Sequence, residues 1–198
     1  TTTTALTGAI MKTYFDEVFV VGNIGIPYTE TALETTEKSV TVAEVSSFQL
    51  ETIMDFHPNV SAILNITPDH LNRHGTMENY IAVKERITEN QTEKDCVVLN
   101  YDDPVLREFG EKEDRKPSVF WFSSTQKLKS GMYLDGDLIM YAHDGKIEEI
   151  VNVHDLQLLG KHNYENVMAA VAMAIRIGVP MDLIRKAVKA FKAVEHRI

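Results

Sequence analysis

The chain has 198 residues, of which 44% are apolar and 25% charged, with a formal net charge of -9. That is enough for one globular domain with a sizeable core and too little for three. The acidic balance argues against a general nucleic-acid or membrane-surface binder, since both need a basic face, but it admits anionic small ligands wherever bound Mg²⁺ supplies positive charge locally.

Thr1 to Tyr14 reads as a helix entered from a loop, and Val18 to Val21 as a short buried strand stopped by Gly22-Asn23-Ile24-Gly25. Pro27 suits the first turn of a helix running to about Thr36. Val40 to Val45 is the next strand, and Ser46 to Glu51 begins a helical turn. Val60 to Ile66 is a third strand. Glu78 to Asn90 is expected to be helical, with Tyr80, Ile81, Val83 and Ile87 inward. Cys96 to Asn100 is a fourth strand, Asp102-Asp103-Pro104 caps a short helix, and Val119 to Phe122 is a fifth. This alternation favours a parallel sheet with helices on both faces.

The pattern then changes. Met132 to Leu134, Leu138 to Tyr141 and Lys146 to Val151 are separated by Asp135-Gly136 and Asp144-Gly145, strong hairpin signals. They predict a small antiparallel meander over 131–153, inserted or packed at the sheet edge. Two helices close the chain, Asn163 to Ile177, ended by Gly178, and Asp182 to Phe191. Met168, Ala172 and Ile175 form a core stripe on the first. The fold class is therefore α/β, a mostly parallel P-loop-type sheet flanked by helices. Cys96, the single cysteine, lies in an apolar run and reads as a small buried hydrophobe. An intrachain disulfide is impossible, no run approaches the ~18 residues of a membrane span, and there is no signal-peptide pattern. A cytoplasmic location is the expectation.

The densest chemistry is Thr67-Pro68-Asp69-His70-Leu71-Asn72-Arg73-His74. An apolar strand runs straight into it, which is how α/β enzymes present polar groups at the carboxyl edge of a sheet. His70, beside Asp69 and Arg73, is a candidate metal ligand or substrate contact. Glu44 ends an apolar strand, where a carboxylate is costly without a cationic partner; Mg²⁺ with phosphate oxygens and a salt bridge to a neighbouring loop are the two readings. Thr1 to Thr4 before an apolar helix is the pattern found just after the glycines and lysine of a P-loop, or else a frayed terminus. The Gly22 to Pro27 turn is either an anion-binding backbone or an ordinary strand-to-helix turn. Asn163 and Asn166 share a helix face and suit either the donor–acceptor edge of adenine or capping. Lys84 on its amphipathic helix reads as solvated.

Taken in order, these motifs resemble the Mur ligase family, the ATP-dependent amide-forming enzymes of peptidoglycan precursor synthesis. Gly22-Asn23-Ile24-Gly25-Ile26-Pro27 and Glu44-Val45-Ser46-Ser47-Phe48-Gln49-Leu50-Glu51 are most like the D-glutamate-adding branch. Thr67 to Leu71, Lys84 before Glu85-Arg86-Ile87, Gly160 to Asn166, and His196-Arg197 are similar to patterns shared across the family. The resemblance implies that Thr1 and Glu44 hold the Mg²⁺ that bridges the ATP phosphates, with Thr2 beside the nucleotide. It implies that His70 and a carbamylated Lys84 serve a second Mg²⁺, so that Lys84 is not simply solvated. It also implies that Asn23 and Ser46 meet the muramoyl substrate, that Asn163 and Asn166 meet adenine, and that Arg197 lies near the phosphates at a hinge.

The implied activity joins UDP-N-acetylmuramoyl-L-alanine to D-glutamate through an acyl phosphate. Residues 1–198 would then be the central ATP-binding domain of a three-domain ligase, with the P-loop glycines and lysine and the N- and C-terminal domains absent from this chain. The chain alone is expected to be inactive. Other Mur-type or folylpolyglutamate ligases, and a non-catalytic nucleotide-binding module, are the alternative readings.

Overall fold

A computed structural model describes residues 1–23, 25–68 and 71–192. Helix α1 (Thr2–Lys12) buries Thr3, Leu6, Thr7, Gly8, Ile10 and Met11, the three-to-four-residue spacing of one helix face. It leads into strand β1 (Glu17–Gly22), which pairs in parallel with β2 (Ser39–Glu44). Between them the chain makes only α2 (Tyr28–Thr31) and a 3₁₀ turn at Ala32–Glu34, shorter than the predicted helix to Thr36. A Cβ on Gly8 would stand 2.4 Å from the Val20 side chain, so α1 can rest directly on β1 only because that position is glycine.

The main sheet has the order β3 (Val60–Ile63), β4 (Cys96–Asn100), β5 (Ser118–Ser123), β6 (Gly131–Asp135), β7 (Leu138–His143) and β8 (Lys146–Asn152). Strands β3 to β6 run parallel, and β6 to β8 form the predicted meander. The meander lies at the sheet edge, as expected: β6 pairs with β5 and continues the sheet. Among the described residues, the β1–β2 pair makes no ladder with β3.

All of β4 is buried, as expected of a strand covered on both faces. Its alternation sorts the core. Val98 joins Phe122, Met132 and Ile139 beneath α1, α7 (Lys161–Ile177) and α8 (Met181–Ala190). Val97 and Leu99 face Tyr80 of α5 (Met77–Glu85) and Leu106 of α6 (Pro104–Glu111). Cys96 is buried, and that burial pushes its thiol pKa up. Helix α7 goes further than a stripe: Val167 through Ala172 are all fully buried. A helix with no wet face must be apolar all round, which accounts for its run of Ala, Val and Met. Gly178 ends it in the left-handed conformation (φ 97°). No described helix is long and apolar enough to cross a membrane.

Strand β3 stops at Ile63 rather than at the expected Ile66. The next residues are held by side chains: Asn100 donates to the Leu64 carbonyl and the Ile66 amide donates to Asp103. Asp103 also caps α6, accepting from the amides of Val105 and Leu106. Two further short elements are α3 (Ser47–Leu50) and α4 (Leu71–His74). The second has no counterpart among the helices predicted from sequence. Helix α5 ends at Glu85 and gives way to a 3₁₀ turn at Arg86–Thr88. Tyr80 is buried and Ile81 and Ile87 pack beside it, whereas Val83 lies outside that cluster.

Beyond the sheet's amino edge, Asp95 is nearly buried and accepts from the Thr92 amide and hydroxyl while facing the His57 ring. Burial pushes its carboxyl pKa up, but these partners prevail and hold it below the usual carboxylate value. A carboxyl held low in the folded state contributes stability above its unfolded pKa of about 3.9 and loses it as pH falls through the folded value. Asp95→Asn should therefore cost about 1–3 kcal/mol in urea unfolding at pH 7. The gap between variant and parent should close as the titration is carried below about pH 4.

Candidate functional site

The carboxyl edge of β1 and β2 is fixed by one close approach. Gly22 lies opposite Glu44 in the ladder, and the Asn23 amide donates to the Glu44 carbonyl at 2.7 Å. A Cβ on Gly22 would fall 2.1 Å from that carbonyl oxygen, and Gly22 has φ 126°. Only glycine meets both demands. The turn so formed leaves the Asn23 side chain exposed.

Glu44, half-buried at the end of its strand, meets the start of α1. The Thr1 hydroxyl lies 3.4 Å from one carboxylate oxygen and the Thr1 nitrogen 3.2 Å from the other. Among the described residues no lysine or arginine pairs with Glu44. Of its two sequence readings, the salt bridge to a neighbouring basic loop finds no support there. A hydroxyl beside a carboxylate at a helix amino-terminus is a hard-oxygen donor set. It suits Mg²⁺, which takes one or two protein oxygens and completes its shell with water and phosphate. No cluster of three or more His, Cys, Asp or Glu side chains able to hold a metal occurs among the described residues. His70 and Arg197 lie outside the described residues. Thr2 is the first residue of α1.

Ser46 caps α3. Its hydroxyl accepts from the Gln49 amide, and the Gln49 side chain accepts in return from the Ser46 amide, a reciprocal capping box. Its side chain thus has a structural task. Lys84 sits in the last turn of α5, half-buried, with Nζ 5.0 Å above the Tyr80 ring. Among the described residues it forms no ion pair.

Between Ser46 and Lys84 lies a polar knot that sequence reasoning does not single out. The His74 ring is buried, its Nε2 3.1 Å from the Ser47 hydroxyl and its Nδ1 3.3 Å from Glu51. It stacks on Phe48 and tilts against Tyr80. Arg73 donates twice to the Glu51 carboxylate and lies over Phe48. The Arg73 hydrogen bond outweighs desolvation and holds the Glu51 carboxyl below its usual pKa. Arg86 donates to the carbonyls of Glu51 and Ile53. These bonds fasten α3, α4 and α5 together, and with them the positions of Ser46 and Lys84. The histidine-rich octet was the available signal, but sequence could not tell which histidine would be buried as a brace.

The third group sits at the start of α7. Asn163 and Asn166 do share a face, with Asn166 Nδ2 3.4 Å from Asn163 Oδ1. Neither caps the helix; the cap position is Gly160. Asn166 is buried and accepts from the Thr3 hydroxyl at 3.0 Å, while Asn163 donates to the Leu159 carbonyl at 2.8 Å. Beside them Ser124 donates to Glu165 at 2.7 Å. Asp102 accepts from Ser123, Ser124 and Thr125; burial pushes its pKa up, but these donors hold it low. The polar triplet after apolar β5 was the signal for this cluster.

With this geometry in view, comparison with known proteins is informative. The model of the Mur ligase middle domain family matches residues 1–174. The UDP-N-acetylmuramoylalanine–D-glutamate ligase of Lachnospira eligens is 58% identical over 198 residues, covering 100% of this chain and 44% of that protein. The enzyme of that name from Lachnoclostridium phytofermentans is 58% identical over 199 residues, covering 100% of this chain and 43% of its own length. Among solved structures, a UDP-N-acetylmuramoyl-L-alanyl-D-glutamate–2,6-diaminopimelate ligase superposes with a TM-score of 0.75 at 20% identity, over all of this chain and 45% of that one. A MurF ligase from Thermotoga maritima in complex with ADP gives 0.67 at 20% identity, over 99% of this chain and 47% of that one. At such identity these structures speak to the fold. The chain spans about 44% of the length of the curated relatives it matches.

Gly22→Ala should destabilise the protein by roughly 1–3 kcal/mol in urea unfolding, because it adds a carbon where the Glu44 backbone already is. Gly25→Ala, also at positive φ but with nothing within 4 Å of the added carbon, should cost clearly less in the same assay.

Proposed function

This chain belongs to the Mur ligase middle domain family, and from that premise we propose that it is the central ATP-binding domain of a three-domain, D-glutamate-adding ligase. The parent enzyme would join UDP-N-acetylmuramoyl-L-alanine to D-glutamate, and residues 1–198 alone would be inactive. The observation that carries the reading is the meeting of Thr1 and Glu44 at the amino-terminus of α1. Glu44 stands directly opposite Gly22 in the ladder, at the Gly22-Asn23 turn that most resembles the D-glutamate-adding branch.

Thr1 and Glu44 would hold one Mg²⁺, with Thr2 beside the nucleotide phosphates at the helix amino-terminus. When bound, that ion supplies positive charge to phosphate oxygens that would otherwise repel an attacking carboxylate. Asn23, exposed at its turn, and Ser46, at the start of α3, would orient the muramoyl substrate. Asn163 and Asn166 would serve the adenine end, and Arg197 the phosphates. Lys84, without an acidic partner among the described residues, is free to add CO₂ at Nζ with loss of a proton. The resulting carbamate would turn a cation into an oxygen donor for a second Mg²⁺ shared with His70.

The substrate carboxylate attacks the γ-phosphorus of ATP, forming an acyl phosphate and releasing ADP. The D-glutamate amine then attacks the acyl carbon, a proton is lost, and phosphate leaves as the amide forms. Both steps concentrate negative charge, so fixed positive charge and position carry the catalysis.

Phosphate release by the full-length protein is the test. With UDP-N-acetylmuramoyl-L-alanine, Mg²⁺-ATP and a panel of amino acids, release should occur with D-glutamate alone. Release with another amino acid instead moves the protein elsewhere in the family, and none at all refutes the ligase reading. Lys84→Ala should lower the rate about 10²–10³-fold, as expected for losing one preorganised electrostatic group, and short carboxylic acids should restore part of it. A rate unmoved by that substitution would remove the carbamate from the scheme.

A further inference from the structure

Strand β4 runs out into Asn100-Tyr101-Asp102-Asp103, between residues 64–66 after β3 and residues 123–126 at the end of β5. The backbone ladder between β3 and β4 stops at the Ile63–Leu99 rung, and beyond it side chains take over the pairing. The buried Asn100 donates from Nδ2 to the Leu64 carbonyl at 3.2 Å, and Asp103 Oδ2 accepts from the Ile66 amide at 2.7 Å. On the other side, Asp102 accepts from the Ser124 amide at 2.9 Å and from the Ser123 and Thr125 hydroxyls, each at 2.6 Å. The Ser123 oxygen in turn accepts from the amides of Thr125 and Gln126.

The turn is also tied to itself. Asn100 Oδ1 accepts from the Asp102 amide at 2.9 Å, and the Asp103 amide donates to the Asn100 carbonyl at 3.3 Å. The Asp102 amide can only donate and the Leu64 carbonyl can only accept, so the Asn100 side chain has a single orientation. The Tyr101 amide donates to the Phe122 carbonyl at 2.8 Å, which pins the same turn to β5. Consecutive residues thus carry two carboxylates, each answering to a different loop. A shift of the turn toward one loop draws on its bonds to the other.

In an open α/β sheet, ligands sit outside the carboxyl ends of the strands, where both of these loops lie. We propose that the Asn100–Asp103 turn is a coupling element: through Asp102 and Asp103 it makes residues 64–66 and 123–126 open and close as one unit, so that whatever orders one loop orders the other. The physical content is a shared unit of local unfolding. It is independent of the ligase reading above and of which ligand the edge receives.

The test is amide hydrogen exchange, read at single residues in the full-length protein. Ala170, fully buried in α7, reports global unfolding. In the parent, Ile66 and Ser124 should exchange faster than Ala170 and converge on one opening free energy as urea is raised below the unfolding transition. Asp103→Ser keeps a good cap for α6 but has one oxygen in place of two and gives up the bond to Ile66. It should quicken exchange at Ile66 about three- to tenfold, the worth of one hydrogen bond, and at Ser124 by a similar factor although Asp102 is untouched. Asp102→Ala removes the other carboxylate and should quicken both amides at least as much, since coupling is reciprocal. Either variant loosening its own loop alone overturns the inference. So does a parent in which Ile66 and Ser124 exchange only together with Ala170, because the two loops would then form no unit of their own. If one variant does not fold, the other decides.

Discussion

Everything at the carboxyl edge depends on where α1 lies. One side of this helix rests on β1 and β2, and it also packs against α7 and α8. The β1 contact needs Gly8 beneath Val20, and the α7 contact carries the buried Thr3–Asn166 bond. Its amino-terminus therefore cannot shift without moving the Glu44 strand and the asparagine pair together. A helix terminus is an anion site only if its backbone amides stay aimed. Here the aim is set by apolar packing along the helix and by one hydrogen bond near its start.

The polar groups divide into those that brace and those left open. His74, Glu51, Arg73 and Arg86 spend their hydrogen-bonding capacity on one another, on Ser47, on Glu89 and on nearby carbonyls. The four residues therefore act as a strut linking three short helices, beside the ring contacts of Phe48, His74 and Tyr80. Asn23, Thr1 and Lys84 are placed by their surroundings but keep polar atoms to spare. The contrast matters because a site must hold its ligand-facing groups still with residues that do not themselves face the ligand.

Strand and helix order was readable because periodicity is local: Cys96 to Leu99 of β4 is an unbroken apolar run, and Asp135-Gly136 and Asp144-Gly145 fall where the hairpins turn. The main errors were at element ends, where side chains take over from backbone. Residues 64–66 look like strand in sequence but are held by Asn100 and Asp103. The helix after Pro27 stops early, although nothing in Tyr28 to Thr36 announces it. Glu44 and the asparagine pair could be nominated from sequence because polar residues at the ends of apolar strands and helices are conspicuous. Thr3 could not, since four consecutive threonines carry no mark of which one faces inward. His74 carries no mark in the chain of its role, and only the fold buries it between a hydroxyl and a carboxylate.

The separation of the two ladders has a consequence for how the chain holds together. Strands β1 and β2 have only each other, and β3 has only β4, among the described residues. Val40, Val42, Val60 and Ala62 are accordingly only half-buried, while their counterparts in β4 are fully enclosed. The ladder that delivers Glu44 to the site is thus held to the rest of the domain by side-chain packing on the core rather than by backbone pairing with the main sheet, among the described residues.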